Sequence, residues 1–181
     1  MKVNINKKNE KELNKKEENS RLTIKDIIIT IASAIIISII IMQFISPTVV
    51  DGISMNNTLH DGQHLILNKV AYKNHEPEYK DIVVIKRNDL SVKYLIKRVI
   101  AVGGDHLVIK DNKVYVNDIL LNEDYINQNE TMITDNIDIE IPEGKVFVMG
   151  DNRNHSVDSR SSIIGLIDVE AQICGKIIGD R

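Results

Sequence analysis

HLVIKDNKVYVND, residues 106–118, holds two short runs rich in Val, Ile and Tyr on either side of Asp111-Asn112. Asp and Asn tolerate the left-handed backbone of a tight turn, so the stretch predicts a β-hairpin. Working outward, the same kind of run recurs as HLILNKVAY (64–72), DIVVIKR (81–87), SVKYLIKRVIAV (91–102), KVFVMG (145–150) and QICGKII (172–178), with Gly, Asn and Asp between. These are short strands. No amphipathic helix of 10–15 residues separates them, which argues against a βαβ fold and for antiparallel sheets, coiled or packed together. Residues 121–144, LNEDYINQNETMITDNIDIEIPEG, read as a polar excursion with weak strands. There are no internal repeats.

Upstream the pattern is different. IIITIASAIIISIIIMQFI, residues 27–45, carries no charge. As a helix it would span roughly 28 Å, close to the hydrocarbon thickness of a bilayer. A core helix apolar on every face would be unusual in so small a domain, so this run reads as a transmembrane span. Eight basic residues precede it (Lys2, Lys7, Lys8, Lys11, Lys15, Lys16, Arg21 and Lys25), and the next after it is Lys69. The positive-inside rule then puts the N-terminus in the cytoplasm and the rest of the chain outside the cell membrane. The run is longer than a signal-peptide core and is followed by SPTVVDG, not by Ala-x-Ala, so it reads as an uncleaved signal-anchor. The expected organisation is a solvated, disordered tail (1–25), a single span (26–46) and an extracytoplasmic domain (47–181). The fold class is mainly β, one transmembrane helix followed by an antiparallel β-sheet domain.

Composition removes several functions. The net charge of −3 and the absence of Trp leave no basic, aromatic-studded surface for nucleic acid. Cys174 is the single cysteine, so no intramolecular disulfide and no CxxC site can form; it reads as a small buried hydrophobe. No chelating spacing occurs, and neither a metal nor another cofactor is expected.

Three clusters could carry chemistry. DGISMNNTLHDG (51–62) places Ser54 shortly after the apolar run. A serine needs a base within hydrogen-bond reach and donors for an oxyanion. The five histidines sit among polar residues, although His155 with Asp158 could assemble a Ser-His-Asp set. Lys97, in YLIKRVIAVGGD (94–105), is the other base. A mid-strand lysine can simply point outward, yet Lys97 and Arg98 are adjacent and face opposite sides of a sheet. One of them faces the less solvated side, unless both faces are exposed. A desolvated lysine has a lowered pKa, and only its neutral amine can take a proton. The third cluster, VFVMGDNRNHSVDSR (146–160), runs from an apolar strand into dense Asp and Arg, as in an ordinary turn or a salt-bridged loop bracing a site.

Taken in order behind an N-terminal anchor, these clusters resemble the type I signal peptidases (leader peptidases), of the bacterial kind that uses lysine. Ser54-Met55-Asn56-Asn57-Thr58-Leu59 matches a Ser-Met-x-Pro-Thr-Leu motif, and Lys80-Asp81-Ile82-Val83 matches Gly-Asp-Ile-Val. Lys97 to Asp105 matches Lys-Arg-Val-Ile-Gly-x-Pro-Gly-Asp, and Gly150 to Arg160 matches Gly-Asp-Asn-Arg-x-x-Ser-x-Asp-Ser-Arg. The resemblance implies Ser54 as nucleophile, Lys97 as general base, Ser156 as a hydrogen-bond partner of that lysine, and Asp158 with Arg160 as a supporting ion pair. It implies cleavage of signal peptides from exported preproteins at the membrane, near the translocation machinery, with shallow pockets for small residues at the first and third positions before the cut. Val50, Ile53 and Ile96 are expected pocket walls. Asn57 and Gly103 stand where the family has proline, two losses of backbone restriction expected to loosen their loops. Gly52 stands where some members carry a serine for the oxyanion, which leaves backbone N–H groups, Ser54 first.

Other readings compete. Self-cleaving repressors use Ser and Lys on a similar fold, but the anchor and the lack of a basic helix-turn-helix argue against that class. A catalytically dead, membrane-tethered binding domain would retain the anchor but has no use for Ser54, Lys97, Ser156 and Asp158 together. A serine-trapping probe that labels the wild type but not Ser54→Ala separates binder from enzyme.

Overall fold

The computed structural model describes residues 23–88 and 92–179. The expected disordered tail therefore lies, up to residue 22, outside the described residues, together with all its basic residues except Lys25. Two compact units divide the chain, one ending at Met42 and the other running from Gln43 to the C-terminus.

Helix α1, Ile24–Phe44, belongs to the first unit up to Met42; it is long and apolar enough to cross a membrane and has no residue buried. Its start is fixed by a reciprocal cap. Thr23 N–H donates to Asp26 Oδ2 at 3.0 Å, and Asp26 N–H donates back to Thr23 Oγ1 at 3.3 Å. Its end comes earlier than the composition suggests. Ile45 and Ser46, expected within the span, belong to strand β1, where backbone pairing with the next strand claims them.

The second unit is all antiparallel. Its strands are β1 (Ile45–Val49), β2 (His64–Asn68), β3 (Ile82–Lys86), β4 (Tyr94–Val102), β5 (His106–Lys110), β6 (Lys113–Val116), β7 (Ile119–Leu120), β8 (Ile137–Glu140), β9 (Lys145–Met149), β10 (Ile167–Asp168) and β11 (Ile173–Ile178). A one-turn helix, α2 (Val169–Gln172), precedes β11. The large sheet has the order β1-β2-β11-β3-β4-β9-β10 and the small one β7-β6-β5-β8. The expected hairpin is β5–β6, with Lys110 opposite Lys113 and positive φ at both Asp111 and Asn112. Residues 121–144 supply only the short strand β8; the rest of that excursion is irregular.

Strand β4 connects the parts. Val99 packs with Val83, Ile85, Val146, Val148 and Ile167 on one side of the large sheet. The pairing with β9 slips between Val99 and Ala101, and beyond that bulge Ile100 and Ala101 pack with Leu107, Ile109 and Phe147 beneath the small sheet. A third cluster beneath β2, β3 and β11 includes Val50, Met55 and Leu59, so the loop carrying Ser54 is anchored by its own apolar residues. Cys174 is partly buried against this cluster, as expected.

Candidate active site

Ser54 sits in a tight loop whose turns are closed by Asn56 N–H to Ile53 O and Leu59 N–H to Met55 O, at 3.1 and 2.8 Å. Buried Met55 and Leu59 fix the loop from below. The start of β4 brings Lys97 to it, with Nζ 2.7 Å from Ser54 Oγ. Lys97 is 3% exposed. Burial lowers its pKa to about 8, against the opposing pull of the Asp158 and Asp151 carboxylates. The arrangement pairs a hydroxyl with an amine able to be neutral near physiological pH.

Neither Lys97 nor Arg98 points to solvent; Arg98 is 5% exposed. Both faces of β4 are covered here, one by the serine loop and the other by charge. Arg98 grips Asp151 with two bonds, Nε to Oδ1 at 2.8 Å and Nη2 to Oδ2 at 2.6 Å. Thr58 Oγ1 donates to the same carboxylate at 2.5 Å, and Arg98 Nη1 donates to Lys80 O at 2.8 Å. Such a buried pair is held together only because its remaining hydrogen-bonding positions are filled.

The loop after β9 closes the site. Asn152 N–H donates to Ser54 O at 3.1 Å and Asn152 Nδ2 to Ile53 O at 3.0 Å. Asp158 accepts from Gly150 N–H at 3.0 Å and holds Arg160 Nε at 2.8 Å. Gly150 is wedged between the Ser54 carbonyl and Ser156 Oγ, where a side chain would overlap both. Ser156 thus lies near the Ser54 carbonyl, but its Oγ is buried and makes no hydrogen bond. The bond expected between Ser156 and Lys97 is not formed; the Lys97 contact is with Ser54 Oγ. The Ser-His-Asp alternative is not assembled: His155 is exposed, and both Asp158 oxygens are engaged by Gly150 and Arg160.

Beside Ser54 runs a groove of about 480 Å³ between residues 49–55 and 92–97. Val50 and Ile96 line it together with Met55 and Leu95, whereas Ile53 is half exposed and not among its walls. Among the described residues Ser54 N–H finds no acceptor, whereas Gly52 N–H is held by Asp61 Oδ1 at 2.8 Å.

The family described as "Signal peptidase, peptidase S26" matches residues 23–178. The chain belongs to the signal peptidase family. It is 38% identical over 162 residues to signal peptidase I of Bacillus licheniformis, covering 84% of this chain and 86% of that one. It is 39% identical over 167 residues to signal peptidase IB of Staphylococcus aureus (strain COL), covering 83% and 85%. A crystal structure of a signal peptidase I from Enterococcus faecalis V583 is 28% identical and covers 57% of this chain and 97% of that one, with a TM-score of 0.48.

At the positions where the chain departs from the expected motifs, the backbone does not fit the motif's proline. Asn57 has φ 90°, which proline cannot adopt. A Cβ on Gly103 would lie 2.9 Å from Glu143 Cα, so the neighbouring backbone closes that space to a proline ring. Lys80, where the motif has glycine, has φ 74°, a glycine-like conformation. The sequence motifs marked Thr58, Arg98, Asp151 and Arg153 but gave them no role; Glu123 and Tyr125 carried no signal beyond their residue types.

Proposed function

We propose that this chain is a membrane-bound serine endopeptidase that removes N-terminal signal peptides from exported preproteins, with Ser54 as nucleophile and Lys97 as general base. The observation that carries the reading is the 2.7 Å approach of Ser54 Oγ to a buried lysine. Ser54 Oγ attacks the scissile carbonyl carbon as its proton passes to neutral Lys97 Nζ. The oxyanion is met by Ser54 N–H. Collapse breaks the C–N bond, and Lys97 returns the proton to the leaving amine. Water then adds to the acyl-enzyme, giving its proton to Lys97, and the ester bond breaks as Ser54 Oγ is reprotonated. Asp158, Arg160 and Ser156 hold the lysine's surroundings, with Ser156 available to the amine once Ser54 is acylated.

The substrate enters as an extended strand. Residues 94–97 of β4 pair only with β3, because pairing with β9 begins at Arg98. Their other edge borders the groove. In a bound strand the first and third residues before the cut point the same way, toward walls that include Val50 and Ile96.

The membrane-bound part of the reading rests on α1 and on the strand directly after it. β1 starts at the residue after the helix ends, and Ile45, Pro47 and Val49 share an exposed face with Ile66 and Ile178. The N-terminus is then cytoplasmic, the catalytic unit extracytoplasmic, and the enzyme works beside the bilayer near the translocation machinery. The test is cleavage of a preprotein by the full-length chain in phospholipid vesicles. Ser54→Ala and Lys97→Ala each abolish cleavage; full activity in Lys97→Ala would sink the dyad.

A further inference from the structure

The polar excursion after β7 is not a solvated loop throughout. Within it Glu123 is 8% and Met132 6% exposed, and both lie against the loop after β9. Glu123 pairs with both terminal nitrogens of Arg153, the Nη1 contact at 3.0 Å. Arg153 Nε in turn donates to Gly150 O at 3.2 Å. Tyr125 donates its hydroxyl to Glu123 Oε1 at 3.0 Å. Its ring lies 4.1 Å from Arg98 Cζ and 6.0 Å from Arg153 Cζ, so one aromatic group meets both guanidinium groups. Those two arginines hold consecutive residues: Arg153 the Gly150 carbonyl and Arg98 the Asp151 carboxylate. Residues 150–152 are what contact the Ser54 carbonyl.

The excursion is itself fastened. Lys80 Nζ donates to Asp124 Oδ1 at 3.1 Å, Tyr79 Oη donates to Asn122 O at 3.2 Å, and Asn154 Nδ2 donates to Thr131 O at 2.9 Å. None of these residues lines the substrate groove.

We propose that Tyr125 and Glu123 are positioning residues: they fix Arg98 and Arg153, and through them the 150–152 turn that sets the height of Ser54 against Lys97. The proposal rests on the peptidase reading above. Because the groove lies elsewhere, its signature is a loss in turnover without a loss in substrate binding. Its geometric basis is that a shift of about 1 Å in a reacting group can lower a rate about a hundredfold.

The experiment uses the full-length chain in phospholipid vesicles with a preprotein substrate, with kcat and KM determined separately. Tyr125→Leu and Glu123→Gln are each expected to lower kcat about tenfold or more with KM within about twofold, and to slow acylation of Ser54 by a serine-directed probe in parallel. Tyr125→Phe keeps the ring over Arg98 and is expected to stay within about threefold of wild-type kcat. Wild-type kcat in Tyr125→Leu, a loss confined to KM, or a Tyr125→Phe variant as slow as Tyr125→Leu overturns the proposal. Should Tyr125→Leu fail to fold, Glu123→Gln decides by the same kcat and KM criterion. A wild-type chain inert towards the preprotein overturns the function itself; an active wild type with unaffected variants overturns only the positioning role.

Discussion

In the proposed mechanism Ser54 can lose its proton only while Lys97 is uncharged. Burial holds that amine near 8, and the Asp158 carboxylate pulls it upward. Below that value Lys97 is an ammonium and cannot act as base, so kcat/KM for peptide cleavage is expected to rise with pH through about 8. Asp158→Asn removes a charge that favours the ammonium; the rise should move to lower pH in a pH–rate profile, even as overall activity falls with the loss of the Arg160 ion pair. An unmoved midpoint would mean that Asp158 does not act on Lys97 electrostatically. Gly150 gives a steric counterpart. A methyl group there would overlap Ser54 O and Ser156 Oγ, so Gly150→Ala should lower kcat about a hundredfold. Ser54, Lys97, Asp158 and Arg160 were legible because each belongs to a local motif. Glu123 and Tyr125 were not, because they lie outside every motif and meet partners 30 and 27 residues away in the chain, Arg153 and Arg98; the motif marks Thr58 but not its contact with Asp151, 93 residues on.

At the scale of elements, β4 holds the proposed base at the expense of stability. At pH 7 a lysine held near 8 instead of 10.5 destabilises the folded state; the penalty is full below about 8 and gone above 10.5. Lys97→Met should therefore abolish cleavage while raising stability by roughly 1–3 kcal/mol at pH 7. Denaturant unfolding checks this, and the gain should shrink as pH approaches 10.5. The serine loop is constrained differently. Asn57→Gly keeps φ 90° accessible and should retain activity, whereas Asn57→Pro should lower stability by more than about 1 kcal/mol and inactivate the enzyme. Seven strands were readable from Val- and Ile-rich runs bounded by turn residues. β1 was hidden because its sequence, ISPTV, continues an apolar run and contains a proline, which an edge strand tolerates. β7, β8 and β10, two to four residues long, are too short to show a period.

For the whole molecule, the apolar helix and the β unit are separable in composition and in compactness. Removing residues 1–42 leaves β1 and its pairing with β2 complete. The truncated chain should cut soluble peptides at near wild-type kcat/KM but process vesicle-embedded preproteins much more slowly, because it loses the effective concentration supplied by sharing a bilayer. Equal rates on embedded substrate with and without the anchor would refute that role. The Asn152 side chain that reaches back to Ile53 spans 99 positions of sequence. Ser54 is made early in translation and its brace late, so a ribosome must complete β9 and the loop beyond it before any part of the chain can cleave a peptide. Long-range closure of this kind is slow relative to local folding. On the proposed mechanism, a nascent copy that lacks residues 145–160 is therefore inactive without any inhibitory segment, and cleavage begins only once that stretch has folded against the serine loop.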